Sequence, residues 1–289
     1  MSELFGQAPI LWTGFVGLFG LVLGSFLNVV IHRWPRGESV VSPRSRCPSC
    51  GHEITAWENI PVLSYLALRG RCRGCRRPIS PRYPLFELAT GLLFAGITWR
   101  YGFSFMTPLF LIFAAALVTA GAIDFDEQII PDEISLGGLM LGLVAVPVAH
   151  ALDGGSWSAA LRTAAVGAAL GSGLLWLVGF AHARYCAARG RRFDHWPEGD
   201  EPFPTPGQAD YWLWFPGLGL GDVKLLGMIG AFLGPVGVVY TILLSAIGGL
   251  LFGLAAAWIT KSWDTPFGFG PAIAAGALLF LLMPELGYL

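Results

Sequence analysis

Two aspartates stand where a membrane chain can least tolerate an idle charge. Asp222 lies in Gly217-Leu-Gly-Leu-Gly-Asp222-Val-Lys224, a glycine-rich run that opens an apolar segment, and Leu225 to Thr260 contains no charged residue. Asp124 closes an earlier uncharged run and is followed by Phe125, Asp126, Glu127 and, past Ile130-Pro131, by Asp132. An ionisable group at the edge of an apolar span is costly, so its first reading is functional and it is expected to have a partner. Two carboxylates at matching depth can share a proton and activate water for peptide hydrolysis. Asp126, Glu127, Asp132 and Glu133 crowd the same stretch as a solvated cap, and Asp132, after Pro131, reads as a helix N-cap. Asp126 is the next candidate after Asp124. Gly219 and Gly221 leave room for the backbone of a bound peptide strand. Lys224 either contacts substrate or reaches for headgroups, and Glu87 is either a substrate-side acid or a structural one bonded to a neighbouring element.

The second chemical pattern is Cys47-x-x-Cys50 and Cys72-x-x-Cys75, separated by 21 residues. Four thiolates in this spacing suit one tetrahedral zinc ion. Two disulfides are the alternative, disfavoured in a reducing cytoplasm; His52 is a substitute ligand. Four sulfurs leave no open coordination position, so the metal is expected to be structural, clipping a loop too poor in apolar residues to fold alone. Cys186 has no such partner and reads as a structural thiol.

The elements that must position these groups are membrane helices. The 289 residues are 54% hydrophobic and 13% charged, with a mean hydropathy of +0.62, which excludes an ordinary soluble domain. Ile10 to Ile31 is an uncharged run of 22 residues, enough to cross ~30 Å of hydrocarbon. Met1 to Gln7 carries Glu3 and no basic residue, so this run reads as a permanent span, not a cleaved signal. Further spans are expected at Pro84 to Trp99, Phe103 to Ile123, Ile134 to Leu152, Thr163 to Ala183, Leu218 to Leu233, Val236 to Ile259 and Pro266 to Met283, with a break at Gly234-Pro235. Ten arginines between Arg33 and Arg82 place the cysteine loop in the cytoplasm and both termini outside. Asp124 and Asp222 then share one depth, at the inner end of the third span and the inner start of the sixth.

A second polar loop, 184–217, carries Arg184, Arg189, Arg191 and Arg192, then Asp194, Glu198, Asp200, Glu201 and Asp210. It reads as a solvated linker, or as an attraction for a basic substrate segment. Tyr211-Trp-Leu-Trp-Phe215 reads as a set of interfacial anchors. The expected fold class is an all-α polytopic membrane protein of about eight transmembrane helices with a cytoplasmic zinc-binding loop. Residues 1–100 form an N-terminal part with the cysteine loop, and residues 101–289 a six-helix core that includes the 184–217 loop. The lipid bilayer is an expected partner; nucleic acid is not.

With these residues in view, the chain resembles the bacterial type IV prepilin peptidases, membrane aspartic proteases with a Gly-x-Gly-Asp signature. The resemblance covers nearly the whole chain. It includes Gly20-Leu-Val-Leu-Gly-Ser-Phe-Leu-Asn-Val-Val-Ile31, both cysteine pairs, Glu58-Asn-Ile-Pro-Val-Leu-Ser-Tyr65 and Arg82-Tyr-Pro-Leu-Phe-Glu87. It continues through Ile123-Asp124 with Ile130-Pro-Asp132, and through Gly219-Leu-Gly-Asp222-Val-Lys224. It implies that Asp124 and Asp222 are the catalytic pair; their shared depth predicts that they face each other across a water-containing cleft. It also implies cleavage of the short basic leader of prepilins and pseudopilins, after a glycine, at the cytoplasmic face of the bacterial inner membrane. The cysteine loop looks like that of bifunctional members, which N-methylate the new terminus with S-adenosylmethionine. No Gly-x-Gly-x-x-Gly follows a strand, so that cofactor rests on the resemblance alone.

Three rivals remain at this level. A proton- or cation-coupled transporter would use the same acids but leave the cysteine loop unemployed. An intramembrane protease of the presenilin type shares the Gly-x-Gly-Asp chemistry but cuts deeper in the bilayer. A zinc-bearing scaffold would lack catalysis.

Overall fold

Long apolar runs fold as helices here because, away from water, every backbone N–H and C=O must be paired within its own segment. The structure, a computed structural model, describes residues 9–193, 196, 202–260 and 268–283. Among the described residues all regular elements are helical, and extended pairing is limited to three isolated bridges. The chain is an all-α, multi-pass membrane protein. It divides into two units, Met1–Glu127 and Gln128–Leu289.

The first unit contains α1 (Pro9–Arg33), the short α2 (Leu63–Ala67), α3 (Arg82–Tyr101) and α4 (Met106–Glu127), with single 3-10 turns at Trp34–Arg36 and Ala56–Asn59. Helix α1 meets α3 along a stripe of Gly17, Gly20 and Gly24. A Cβ on Gly20 would lie 2.8 Å from Cβ of Phe94, and one on Gly24 would lie 2.8 Å from Cα of Glu87. Small residues at this spacing let two backbones approach in a medium that offers no hydrophobic drive for association. On the other side of α1, Phe15, Leu18, Phe19 and Val22 are exposed, as lipid-facing side chains would be.

The second unit contains α5 (Asp132–Leu152), α6 (Trp157–Ala188), α7 (Ala209–Leu213), α8 (Leu220–Thr260) and α9 (Gly270–Leu282). Helices α6 and α8 touch backbone to backbone, and a Cβ on Gly230 would sit 2.1 Å from the carbonyl oxygen of Gly167. The break expected at Gly234-Pro235 is present. Gly234 has φ 66° and ψ −175° inside α8, a conformation glycine tolerates, and Pro235 has no N–H to continue the ladder.

Among the described residues, five helices are long and apolar enough to cross a membrane by length and composition. That count does not confirm the expected eight crossings, and three of the expected spans account for the difference. Helix α3 carries Arg82, Glu87 and Arg100 in 20 residues, α9 has 13 residues, and the sixth and seventh expected crossings are the two parts of α8 on either side of the kink at Gly234.

The 184–217 loop, where described, is more than a solvated linker. Trp196, Phe215, Ala183 and Cys186 form a buried cluster, joined by Phe203, Trp176 and Phe180. The guanidinium of Arg184 lies 3.7 Å from the ring centroid of Tyr211. Trp212 stacks on Phe180 at 5.3 Å, so the Tyr211–Phe215 run packs on α6 instead of standing only as interfacial anchors. The aromatic content of this loop, and not its charge, decides its packing. Cys186 is fully buried, as a structural thiol should be. Asp194, Glu198, Asp200 and Glu201 lie outside the described residues, as do Glu3 and the start of the last expected span at Pro266.

Candidate active site and metal centre

Asp124 lies in the last turn of α4 and is 6% exposed. Its neighbours Asp126 and Glu127 are turned to other partners. Arg82, at the start of α3, donates to both carboxylate oxygens of Asp126, at 2.7 and 2.6 Å. Arg36, just past α1, donates to Glu127 at 2.6 Å. The two ends of the cysteine loop are therefore fastened to the C-terminal end of α4 by charge-assisted bonds. No short-range pattern announces these pairs, since their members are 44 and 91 residues apart.

In the second unit Asp222 lies in the first turn of α8 and is 9% exposed. Its backbone N–H donates to the Gly219 carbonyl at 3.2 Å. A Cβ on Gly221 would lie 3.1 Å from Cβ of Ile130, so this glycine admits the chain's own Ile130. Lys224 donates to Asp132. The segments Ile130-Pro-Asp132 and Gly219-Leu-Gly-Asp222-Val-Lys224 are thus brought together by one apolar contact and one ion pair. This corrects the N-cap reading of Asp132: Pro131 occupies the cap and Asp132 is the first helical residue, where a carboxylate favours the helix dipole and answers Lys224. Lys224 is spent on that carboxylate and does not reach out as a headgroup anchor.

Glu87 is 8% exposed, and its Oε2 accepts the N–H of Val62 at 2.8 Å. Val62 has φ 60° and ψ −48°, a strained conformation for a β-branched residue. Glu87 holds that strained turn against α3.

The four cysteines of the loop come together, their sulfurs all within 4.8 Å of one another. Cys47 Sγ is 3.8 Å from Cys75 Sγ, and Cys50 Sγ is 4.0 Å from Cys72 Sγ. Tetrahedral ligation at a zinc–sulfur length of about 2.3 Å requires sulfurs about 3.8 Å apart, so the donor set fits such an ion. Each pair sits on the same small turn. The N–H of Cys47 donates to the His52 carbonyl and that of Cys72 to the Arg77 carbonyl, both at 2.9 Å. Isolated bridges follow at Arg46 with Glu53 and at Arg71 with Pro78. The positive φ that closes the turn falls on Gly51 in one copy and Arg76 in the other. The match of Arg46-Cys47-x-x-Cys50-x3-Ile54 to Arg71-Cys72-x-x-Cys75-x3-Ile79 is legible in the sequence. Backbone N–H groups of Ser49 and Cys50 lower the Cys47 thiol to about 6, which favours a thiolate.

His52 is turned away from the sulfurs toward Glu58, with Nε2 at 3.2 Å from both carboxylate oxygens. Glu58 also accepts from the N–H and hydroxyl of Thr55, each at 2.9 Å. The Thr55 N–H is the main reason its carboxyl is held down at about 2, with the Thr55 hydroxyl and His52 adding to it against burial.

The fold and these sites define an all-helical membrane protein with buried aspartates at helix ends and a four-thiol cluster. Family comparison agrees: residues 18–101 match the bacterial peptidase A24 N-terminal domain, and residues 111–254 match the type IV leader peptidase family. The chain belongs to the type IV leader peptidase family. It is 36% identical to the prepilin leader peptidase/N-methyltransferase of Burkholderia pseudomallei (strain 1026b), over 93% of this chain and 85% of that one. Proteins of the same name from Stutzerimonas stutzeri and Neisseria gonorrhoeae are 34% and 35% identical, each over 97% of this chain and 93% of theirs. No solved structure matches the chain. Nothing in these matches supports the transport reading.

Proposed function

We propose that this protein removes the leader peptide of type IV prepilins and pseudopilins at the cytoplasmic face of the bacterial inner membrane, and then N-methylates the new N-terminal residue. The observation that carries the reading is the similarity to prepilin leader peptidase/N-methyltransferases over almost the whole chain. In this reading Asp124 and Asp222 are the catalytic pair. Both are buried carboxylates at helix ends, while Asp126 is committed to Arg82. One aspartate takes a proton from water as the oxygen attacks the scissile carbonyl. The other, protonated, donates to the carbonyl oxygen and later to the leaving nitrogen. Gly219 leaves space beside Asp222, where a substrate backbone can lie.

Cys47, Cys50, Cys72 and Cys75 hold a structural zinc that closes the loop. S-adenosylmethionine supplies the methyl group when bound. The arginines between Arg33 and Arg82 keep the cysteine loop cytoplasmic and both termini periplasmic.

The test is cleavage of a purified model prepilin in detergent with labelled S-adenosylmethionine present. Asp124→Asn and Asp222→Asn should each lower cleavage by about 10²–10⁴-fold, whereas Asp126→Asn retains it. Label should appear in the mature product only after cleavage. Cleavage that survives both substitutions would remove the aspartate assignment.

A further inference from the structure

In Gly217-Leu-Gly-Leu-Gly-Asp222 the leucines and the glycines serve different ends. Leu218 and Leu220 pack against the buried cluster that α6 builds from Ala183 and Cys186 with Trp196 and Phe215. Gly219, between them, faces open space: the nearest atom to a Cβ there would be Oδ2 of Asp222, at 3.7 Å. The run is thus anchored through its leucines and left clear beside the acid.

The backbone that leads into it needs anchoring of its own. Residues 214–219 are irregular, and the five-residue α7 before them leaves carbonyls without a helical partner. Irregular backbone at a membrane edge must find its partners in protein, and α6 supplies two. Trp176 Nε1 donates to the Trp212 carbonyl at 2.9 Å, and His182 Nδ1 lies 3.3 Å from the Pro216 carbonyl oxygen. A carbonyl only accepts, so Nδ1 carries the proton. Nε2 is then the acceptor for the S–H of Cys186, 3.4 Å away and one turn further along α6. His182 is exposed, yet both of its ring nitrogens are engaged. One turn earlier, Gly179 makes room for the segment itself. A Cβ there would lie 2.6 Å from Cδ2 of Phe215 and 2.9 Å from Cδ2 of Leu218.

We infer that His182 and Gly179 are positioning residues for peptide cleavage: through Phe215, Pro216 and Leu218, α6 sets where Asp222 stands. The inference rests on the reading of Asp222 as catalytic. Between Pro216 and Asp222, glycine occupies positions 217, 219 and 221, and Gly217 has φ 77°. Such a run has little stiffness of its own, so its path is fixed from its ends. Lys224 on Asp132 holds the far end; His182 on Pro216 and the Gly179 contact hold the near one. A reacting group misplaced by about 1 Å costs about 10²-fold in rate, which gives these remote contacts a measurable share in the chemistry.

The experiment is steady-state cleavage of a purified model prepilin by the full-length protein in detergent, with the thermal midpoint measured on each sample. His182→Ala removes the donor to Pro216, and Gly179→Ala pushes Phe215 and Leu218 off the helix. Each should lower kcat by about 10–100-fold and leave KM within about twofold of wild type. His182→Asn puts an amide N–H near the place of Nδ1 and should recover most of the kcat lost in His182→Ala, a rescue that a general loss of packing would not allow. Gly173→Ala, on the same helix with nothing within 4 Å of the new methyl, should match wild type. Wild-type kcat in His182→Ala or in Gly179→Ala, or a loss that His182→Asn does not restore, overturns the positioning role and leaves Asp222 catalytic. Asp222→Asn that cleaves like wild type removes the catalytic reading and this inference with it.

Discussion

Arg82 grips Asp126 with two parallel hydrogen bonds of 2.7 and 2.6 Å, joining the first turn of α3 to the last turn of α4. The pair sits two residues beyond Asp124, so it anchors the helix end on which that buried acid is carried. Together with Arg36 on Glu127, it makes the cysteine loop and the end of α4 one assembly. It also separates the acids of this stretch by environment: Asp126 is 30% exposed on its side chain, while Asp124 is buried.

A double-mutant cycle on this pair should give a coupling of about 1 kcal/mol, the upper part of the range for half-exposed pairs because the geometry is bidentate. Thermal unfolding of Arg82→Ala, Asp126→Ala and the double variant measures it. A coupling indistinguishable from zero would mean the contact is incidental.

Glu87 is expected to matter through Val62. Glu87→Ala should cost about 1–3 kcal/mol, because it strips a buried acceptor from the N–H of a strained residue. Glu87→Gln keeps an oxygen in place and should recover most of that loss. Protease accessibility of the segment around Val62 reports the local effect directly; equal loss in both variants would point to charge and not to the hydrogen bond.

Gly20→Ala tests the contact of α1 with α3. The added methyl would lie 2.8 Å from Cβ of Phe94 and 2.9 Å from the Thr90 carbonyl, neither of which is the free end of a flexible chain. Forcing the helices apart should cost about 1–3 kcal/mol, read as a lower midpoint in thermal unfolding. Gly14→Ala, with nothing within 4 Å of the new methyl, is the matched control.

The Glu58 carboxyl gives the cysteine loop a defined acid response. Its value falls from 4.5 to about 2 in the folded protein, so its stabilisation is complete above about pH 4.5. It fades as pH drops toward 2, because protonation is then no longer penalised differently in the two states. Melting curves of wild type and Glu58→Gln should therefore differ most above pH 4.5 and converge as pH approaches 2. Curves that stay equally separated over that window would assign the effect to shape and not to charge.

Metal removal tests the four-thiol cluster. One zinc per chain is expected by elemental analysis, and none in Cys47→Ser with Cys75→Ser. Stripping with a strong chelator should open the loop to proteolysis, since structural zinc sites contribute about 10–16 kcal/mol of apparent binding energy to the fold they close. A loop that stays protected after complete metal loss would show that Glu58, Glu87 and the arginine pairs suffice without it.

The sequence by itself determined the membrane class, the apolar runs that become helices, the bend at Gly234-Pro235, and the assembly of Cys47, Cys50, Cys72 and Cys75. Each of these follows from local composition or short spacing, which act before any distant contact forms. Tertiary structure alone decided that Lys224 answers Asp132, that Arg82 and Arg36 take Asp126 and Glu127, that Glu87 supports Val62, and that Trp196 and Phe215 bury themselves on α6. Those partners are recruited across long stretches of chain. A lone charge or aromatic ring has the same local signature whether it faces solvent, lipid or a distant partner, and only packing removes the alternatives.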